Sequence, residues 1–241
     1  MRSLKIDVIL DARASAAELA ELGRLAESAG IRGVWVSSLL DSRDPFTNLG
    51  PLAAATQRLQ LGPIAVNPFD MHPVRIAAAL LTLNELAAGR ARIVIGGGGE
   101  ALAAVGIEPA RRVRAVAECV DIIRAAAGGD AVDYTGELYE VHNLQFGWAQ
   151  SPPPPVYVGA SQVQMLRMAA RAADGSMMSD MPVPLAAAAL DTLDSALAQH
   201  GRTRADYQTN AFAAWHVYAD RAKAVAEARR WLVLRGIFRP W

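Results

Sequence analysis

Residues 61–100 read LGPIAVNPFDMHPVRIAAALLTLNELAAGRARIVIGGGGE. This stretch predicts a strand, a loop, an amphipathic helix, a second strand and a glycine run that ends at Glu100. Pro73 suits a first helical turn, apolar residues then recur at helical spacing, and Gly89 ends the helix. The flanking runs LGPIAV and ARIVIG are short and continuously apolar, which is typical of strands buried on both faces of a parallel sheet. The stretch therefore predicts a β-α-β unit.

Parallel sheets of this kind bind their ligands at the carboxyl ends of the strands. In this unit the first strand ends at Asn67 and Pro68, and the second ends in the glycines 96–99 and Glu100. The glycines allow either a tight turn or the close approach of a cofactor, because Gly serves both purposes. Glu100 can act as an acid or base, or it can contribute only electrostatically at a helix N-terminus. These residues form the first candidate site.

The same unit recurs along the chain. Ser15 and Glu18 form a capping box that opens the first helix, and Gly30 ends it. We expect five residues of that helix to face inward: Leu19, Leu22, Leu25, Ala26 and Ala29. Seven strands are predicted, each followed by a helix, at residues 5–10, 33–37, 61–66, 91–96, 155–158, 174–179 and 209–218.

The repeated units predict an α/β fold of the TIM (β/α)8-barrel type that lacks its eighth strand within this chain. We expect one domain over residues 1–241. A helix from about 109 to 127 precedes the segment 130–154, which alternates around Gly136 and ends in prolines, so an inserted hairpin and a proline connector are predicted there. An uncovered parallel edge favours a partner subunit, and a homodimer is therefore expected.

The composition argues against a nucleic-acid-binding protein and against a membrane protein. Of 241 residues, 52% are hydrophobic, and Lys plus Arg equals Asp plus Glu at 24 each. We therefore expect no nucleic-acid partner, no membrane span and a cytoplasmic location, with a small molecule as the substrate. The single Cys119 lies in a helical pattern and is expected to be a buried hydrophobe. His142, His200 and His216 have no metal-ligand spacing, and no metal is predicted.

The chain resembles the bacterial-luciferase-like superfamily of flavin- and coenzyme F420-dependent oxidoreductases. This superfamily includes luciferase-like monooxygenases, methylenetetrahydromethanopterin-reductase-like proteins and F420-dependent dehydrogenase-like proteins, and its members are α/β barrels. The resemblance extends from about Lys5 to Arg235. It is carried by four stretches in this order: 29–36, 61–90, 97–102 and 158–175. Together these stretches are specific for the superfamily and uninformative about the substrate.

The resemblance implies a cofactor, either coenzyme F420 or FMN, and residues that bind it. The strand after Gly62 is similar to one that carries a non-prolyl cis peptide behind the cofactor ring, which by position joins Ile64 and Ala65. Asn67 and Gly98 are predicted to lie beside that ring. The following turn resembles the cofactor-phosphate site, although it also suits a simple helix cap. Its residues are Gly159, Ala160, Ser161 and Gln162.

The segment around Glu100 resembles that of deazaflavin-dependent sugar-phosphate dehydrogenases, in which a Glu handles a proton beside the hydride-transfer carbon. Glu100 is therefore the first candidate for a catalytic proton donor or acceptor. His72 is a second catalytic candidate, with packing on the barrel rim as the alternative. The chain also departs from its relatives: residues 37–40 replace the His found after the second strand of many members. Ala103 stands where the sugar-phosphate dehydrogenases carry Asn, so the resemblance does not imply a sugar-phosphate substrate for this chain.

Two functions follow from the sequence. The first is an F420- or FMN-dependent oxidoreductase that transfers a hydride between the cofactor and a small organic substrate, with an FMN-dependent luciferase-like monooxygenase as its variant. The second is a shortened, non-catalytic relative that binds flavin without turnover. The sequence favours the first function, and it slightly favours F420 over FMN because of the glycine-glutamate segment.

Overall fold

The computed structural model describes residues 5–238, with side chains as far as Val233, so the ends of the predicted domain 1–241 lie outside the described residues. Strands and helices alternate in the predicted order. The elements are β1 (Asp7–Leu10), α1 (Ala16–Ser28), β2 (Gly33–Ser37), α2 (Pro45–Ala55), β3 (Gln60–Ile64), α3 (Pro73–Leu86), β4 (Ile93–Ile95), a 3-10 helix (Glu100–Val105), α4 (Arg112–Ala127), β5 (Ala131–Thr135), β6 (Glu140–Gln145), β7 (Val156–Gly159), α5 (Val163–Ala172), β8 (Gly175–Ser179), α6 (Val183–Gln199), β9 (Gln208–Phe212) and α7 (Arg221–Phe238). Within that range, none of the helices has the length and hydropathy that crossing a bilayer requires.

Seven of the strands are parallel, as predicted. They form the ordered groups β1-β2-β3 and β4-β7-β8-β9. The two groups are joined beyond the end of β3, where the Val66 N–H donates to the Val94 carbonyl (3.0 Å) and the Gly96 N–H donates to the Val66 carbonyl (2.8 Å). Arg32, before β2, also donates to the Asn210 side chain on β9 at 3.3 Å. Because Arg32 adjoins the second strand of the order and Asn210 lies on the last, the sheet must curl to bring them together.

The curled sheet separates two apolar regions. Outward-facing side chains such as Val34, Leu61 and Ile95 pack against the helices in one large core. Inward-facing side chains form a second, smaller cluster, which consists of Trp35, Val94, Tyr157 and Met177, with Ile9, Ile64, Ala65 and Phe212 packed against it. This separation by strand alternation is the layered packing expected inside a parallel barrel.

A buried ionic group fills the amino-terminal end of the sheet. Asp7 accepts hydrogen bonds from Arg32 at 2.7 and 2.5 Å and from the Trp35 indole at 3.1 Å, and it pairs with Arg92 at 2.9 Å. Burial acts to raise the pKa of Asp7, but the hydrogen bond from Arg32 and the charges of both arginines outweigh it, and the pKa lies below its usual 3.8. Asp7 is therefore a charged structural residue.

Helix α1 begins as predicted but faces the core with a different set of residues. The Ser15 and Glu18 capping box is present. Leu19 and Ala26 are buried, whereas Leu22, Leu25 and Ala29 are exposed, so the prediction that these three face inward was wrong. The reason is a close helix contact: a Cβ placed on Gly23 would lie 2.7 Å from Cγ of Leu52 on α2. The glycine face of α1 therefore packs on α2, and the neighbouring leucines are turned outward.

Other boundaries also differ from the prediction. Helix α4 begins at Arg112, not near residue 109, because Arg111 adopts a left-handed conformation (φ 50°) that a helix cannot continue. Strand β9 ends at Phe212, six residues before the predicted end at Tyr218. The predicted hairpin is present as antiparallel β5 and β6. Burial raises the pKa of the Cys119 thiol, in keeping with the predicted buried hydrophobe.

Candidate functional site

The ends of β3, β4 and β7 form a shelf almost without side chains. A Cβ placed on Gly96 would lie 3.0 Å from Cβ of Ala65, and one placed on Gly159 would lie 3.9 Å from Cα of Gly96. Three adjacent strands thus present only Ala65, Gly96 and Gly159 at their carboxyl ends. Glycine at position 96 lets β4 lie close against Ala65, and the row carries no side chain larger than a methyl group.

The shelf lies on the inner apolar cluster. The peptide bond between Ile64 and Ala65 is cis, as the resemblance implied. The Ile64 carbonyl accepts a hydrogen bond from the Ser38 N–H at 2.8 Å, which ties β3 to the loop after β2. Both Ile64 and Ala65 pack on Trp35 and its neighbours in the inner cluster. The sheet therefore supplies an apolar support beneath the shelf.

The glycine run leaves the shelf through a turn that needs glycine at one position. Gly98 has φ +75°, and a Cβ there would also lie 2.7 Å from Cδ1 of Leu102. Gly99 has φ -106° and open space around it. Turn formation therefore explains Gly98, whereas the conformation of Gly99 does not require glycine.

Glu100 begins the 3-10 helix, on the same rim of the sheet as the shelf. Its side chain is exposed, and within residues 5–233 it forms no hydrogen bond or ion pair. Leu102, which is 2% exposed, anchors this short helix in the core. The structure therefore holds the backbone of Glu100 in place and leaves its carboxylate open to solvent or to a ligand.

The polar atoms of Asn67 are already used within its own loop. Its carbonyl oxygen accepts from the N–H groups of Phe69 (3.0 Å) and Asp70 (3.3 Å), and its amide donates to the Asp70 carboxylate at 2.9 Å. The side chain is 9% exposed. Asn67 therefore stabilises the loop between β3 and α3. Its side-chain polar atoms are engaged there, so we expect Asn67 to affect a cofactor through the position of this loop.

His72 caps a helix and contacts the inserted hairpin. Its Nδ1 accepts from the Val74 N–H at 3.2 Å, and its ring meets the Tyr139 ring edge-on at 5.5 Å. Tyr139 in turn donates its hydroxyl to the Pro68 carbonyl at 2.8 Å, and burial raises the pKa of that phenol. The hairpin is held by the buried Glu118, whose carboxylate accepts three backbone N–H groups from residues 137–139. These contacts favour the rim-packing alternative for His72.

The predicted phosphate turn opens helix α5 beside the shelf. Ala160 donates its N–H to the Met177 carbonyl at 3.1 Å and is 1% exposed, so it belongs to the sheet. Gln162 occupies the N-cap position without a side-chain cap. The first helical bond runs from the Leu166 N–H to the Gln162 carbonyl, and the preceding N–H groups point out of the helix end. This end suits an anion held by backbone donors and by the helix dipole.

The sequence did not predict two residues at the rim of the sheet, Arg112 and Asp180. Arg112, the first residue of α4, lies beside the glycine run that follows the shelf: a Cβ on Gly97 would be 3.6 Å both from its Cδ and from Cε of Met165 on α5. Arg112 forms no hydrogen bond or ion pair with residues 5–233. Asp180, after β8, has φ 48° and accepts a hydrogen bond from the Ser179 hydroxyl at 3.1 Å. The polar pair Ser179 and Asp180 at the end of β8 was a sequence signal that could have identified Asp180. Arg112 had no such signal, because it is distant in sequence from Gly97, which it approaches.

No group of three or more His, Cys, Asp or Glu side chains in the described part of the chain is arranged to hold a metal ion. The charged and polar groups at the rim include Glu100, Arg112, Asp180 and the α5 N-terminus, close to a flat shelf on an apolar support. Such a site can hold a planar ring together with an anionic tail.

Comparison with known proteins identifies the family. A family model described as luciferase-like monooxygenase matches residues 4–238. The 5,10-methylenetetrahydromethanopterin reductase of Archaeoglobus fulgidus is 32% identical over 213 residues, which are 88% of this chain and 64% of that protein. The F420-dependent glucose-6-phosphate dehydrogenase of Microbacterium testaceum is 31% identical over 234 residues, which cover 90% of this chain and 69% of that protein. This chain thus spans about two thirds of the length of these relatives.

A solved structure shows the same fold. The coenzyme F420 dependent tetrahydromethanopterin reductase from Methanopyrus kandleri has a TM-score of 0.87 at 21% identity, and the match covers 92% of this chain and 69% of that chain. At this identity the likeness establishes the parallel-stranded TIM-barrel type of α/β fold. With the family model matching nearly the whole sequence, the chain belongs to the luciferase-like monooxygenase family.

Proposed function

We propose that this chain is an oxidoreductase that binds coenzyme F420, or FMN in its place, on the shelf and transfers a hydride between that cofactor and a small organic substrate. The observation that carries the proposal is the row of Ala65, Gly96 and Gly159 across three adjacent strands, with an uncapped helix N-terminus directly beside it. The names of the A. fulgidus and M. testaceum relatives, a reductase and an F420-dependent dehydrogenase, support the same class of reaction.

The residues present fit a cofactor of this shape. A tricyclic ring needs a flat, apolar surface, and the shelf of Ala65, Gly96 and Gly159 carries no side chain larger than a methyl group. A phosphate needs hydrogen-bond donors near the ring, which the N–H groups of residues 163–165 at the α5 N-terminus supply. The side chain of Arg112 lies between the two, beside Gly97 and Met165. The cofactor, when bound, supplies or accepts the hydride.

The chain itself contributes orientation and proton transfer. The apolar support of Trp35 and Tyr157 holds the shelf rigid, because the two rings pack edge to face at 6.0 Å. Glu100, on the rim, is the group that gives or takes the proton that accompanies hydride transfer. A bound ring and substrate would desolvate the Glu100 carboxylate, which is open to solvent in the structure.

Coenzyme F420 fits this site better than FMN. Its longer anionic tail requires basic side chains next to the phosphate turn, and Arg112 meets that requirement without another partner within residues 5–233. The alternative, FMN, would be bound by the α5 N-terminus alone. A single titration of the protein with each cofactor, followed by ring absorbance and fluorescence, decides between them, and failure of both to bind would refute the proposal.

A variant of Glu100 tests catalysis separately from binding. Glu100→Gln should bind the cofactor with unchanged affinity and lower the single-turnover rate of hydride transfer by roughly 10²- to 10⁴-fold, the usual range for loss of a general acid or base. Glu108→Gln, an exposed carboxylate on the same loop, is the matched control and should change neither quantity. Cofactor binding without turnover in the wild-type protein would instead support a non-catalytic flavin-binding role.

A further inference from the structure

The turn of the inserted hairpin, residues 136–139, is fixed to helix α4 by a buried carboxylate. This carboxylate belongs to Glu118, which is 2% exposed. It accepts the N–H groups of three successive residues at 2.9 to 3.0 Å, namely Glu137, Leu138 and Tyr139. Hydrogen bonds between backbone N–H groups and a carboxylate are charge-assisted and stronger than neutral ones. The turn is therefore held in one position on α4.

Tyr139 links this turn to the loop between β3 and α3. Its hydroxyl donates to the Pro68 carbonyl at 2.8 Å, and its ring meets the His72 ring edge-on at 5.5 Å. Pro68 is buried, and no other donor to its carbonyl is found within residues 5–233. Loss of the phenol hydroxyl would leave this buried carbonyl unpaired, which costs more than an ordinary hydrogen bond contributes. The native position of the loop therefore depends on Tyr139.

The loop between β3 and α3 borders the shelf on two sides. At its start it is bonded to β4, because the Gly96 N–H donates to the Val66 carbonyl at 2.8 Å. Further along, Cδ2 of Phe69 would lie 3.2 Å from a Cβ placed on Gly98, in the turn that leads to Glu100. A shift of this loop would therefore displace both the end of β4 and the turn before the candidate catalytic residue.

The other polar contacts of the hairpin turn are ion pairs at the surface. Glu137 pairs with Arg111 and with Arg114, and all three side chains are about half exposed. Exposed ion pairs contribute little to stability, because water and salt screen them. The position of the turn therefore depends on Glu118, and its link to the loop depends on Tyr139.

We propose that Tyr139 is a positioning residue for the shelf. Through the Pro68 carbonyl it fixes the loop between β3 and α3, and this loop fixes the turn at Gly98 beside the cofactor. The hairpin forms a separate two-stranded sheet, yet it is then a part of the reaction site. This role rests on the proposed function, because it concerns the affinity of the shelf for its cofactor.

Hydrogen exchange tests the link between hairpin and loop without a cofactor. Exchange of the amides of residues 65–72 is followed by mass spectrometry in Tyr139→Phe and in the matched control Tyr134→Phe. Tyr134 lies on the same hairpin, and its hydroxyl donates to Asp121 on α4 at 3.5 Å. Tyr139→Phe should speed loop exchange about fivefold, which corresponds to the usual contribution of one hydrogen bond, and the control should leave it unchanged. Unchanged loop exchange in Tyr139→Phe, or an equal increase in both variants, would overturn the proposal.

Cofactor binding provides a second measurement that requires no substrate. Coenzyme F420 or FMN should bind Tyr139→Phe about fivefold more weakly than wild type, and Tyr134→Phe should bind it unchanged. In the wild-type protein the bound cofactor should slow exchange of the amides of residues 137–139, because coupling between two sites is reciprocal.

The outcomes separate this proposal from the proposed function. Equal cofactor affinity in wild type and Tyr139→Phe, or no slowing of exchange at residues 137–139, would refute the positioning role while the proposed function stands. If neither cofactor binds the wild-type protein and Tyr139→Phe still speeds loop exchange, the proposed function fails and the link from hairpin to loop stands.

Discussion

The guanidinium carbon of Arg92 lies 4.0 Å from the centre of the Trp35 ring, and both side chains reach the same carboxylate, that of Asp7. Arg92 is 1% exposed; Asp7 is its counter-charge, and the face of Trp35 adds a cation–π contact. Trp35 also packs on Tyr157 beneath the shelf. The ionic group at the amino-terminal end is thereby linked to the support of the candidate site at the other end.

Asp7→Asn should lower the free energy of unfolding by about 3 to 5 kcal/mol, because it leaves the buried Arg92 without a counter-charge. Urea denaturation followed by circular dichroism measures this change. The control is Asp41→Asn, which removes the partner of Arg13 in an exposed pair and should cost less than about 1 kcal/mol. Equal effects of the two substitutions would show that Asp7 does not compensate a buried charge.

The charge of Asp7 also predicts a pH dependence. Its pKa in the folded protein lies below the usual 3.8, because the bonds from Arg32 and Arg92 outweigh the effect of burial. The unfolded chain therefore takes up the proton more readily, and the stabilisation from Asp7 is complete above about pH 4 and is lost as the pH falls through the lower folded pKa. In urea titrations between about pH 5 and pH 2, the stability difference between wild type and Asp7→Asn should shrink toward acid. A difference that stays constant over this range would contradict the prediction.

The glycine run allows two neighbouring substitutions to be compared. Gly98→Ala should destabilise the protein by about 1 to 2 kcal/mol or more, because φ +75° disfavours a side chain and the new Cβ would lie 2.7 Å from Leu102. Gly99→Ala has open space and an ordinary φ, and its melting temperature should match that of wild type. If Gly99→Ala nevertheless weakens cofactor binding, the cofactor approaches the backbone at this residue. Equal melting temperatures for both variants would contradict the assignment of the turn to Gly98.

Arg112→Ala should weaken cofactor binding about tenfold and make the remaining affinity less sensitive to salt, because a charge-assisted contact to the phosphate is removed. The turnover rate at saturating cofactor should be retained, since Arg112 binds the tail and not the reacting ring. Arg114→Ala, which removes an arginine paired with Glu137 at 2.8 Å, is the control and should leave affinity unchanged. Affinity titrations at two salt concentrations provide the measurement, and equal losses in both variants would refute a specific role for Arg112.

Local rules predicted much of the fold because the signals lie close together in sequence. The capping box of Ser15 and Glu18 is a contact over three residues, and it forms as predicted. The orientation of the same helix was predicted wrongly at Leu22 and Leu25, because the contact of Gly23 with Leu52 involves a second helix. The start of α4 was missed because a left-handed conformation, such as that of Arg111, leaves no periodic signal in the sequence.

Apolar periodicity and turn residues act over a few positions, so they predicted the order of seven parallel strands, the inserted hairpin, and the stretch in which Glu100 and the glycines lie. The family followed from the resemblance of four stretches to known proteins. The folded structure was needed to place Arg112 beside Gly97 and to join Asp7, Arg32 and Arg92 into one buried group. These relationships depend on how the sheet curls and which loops meet. Curling brings together residues that are far apart in the chain, and no local sequence pattern indicates which of these residues will meet.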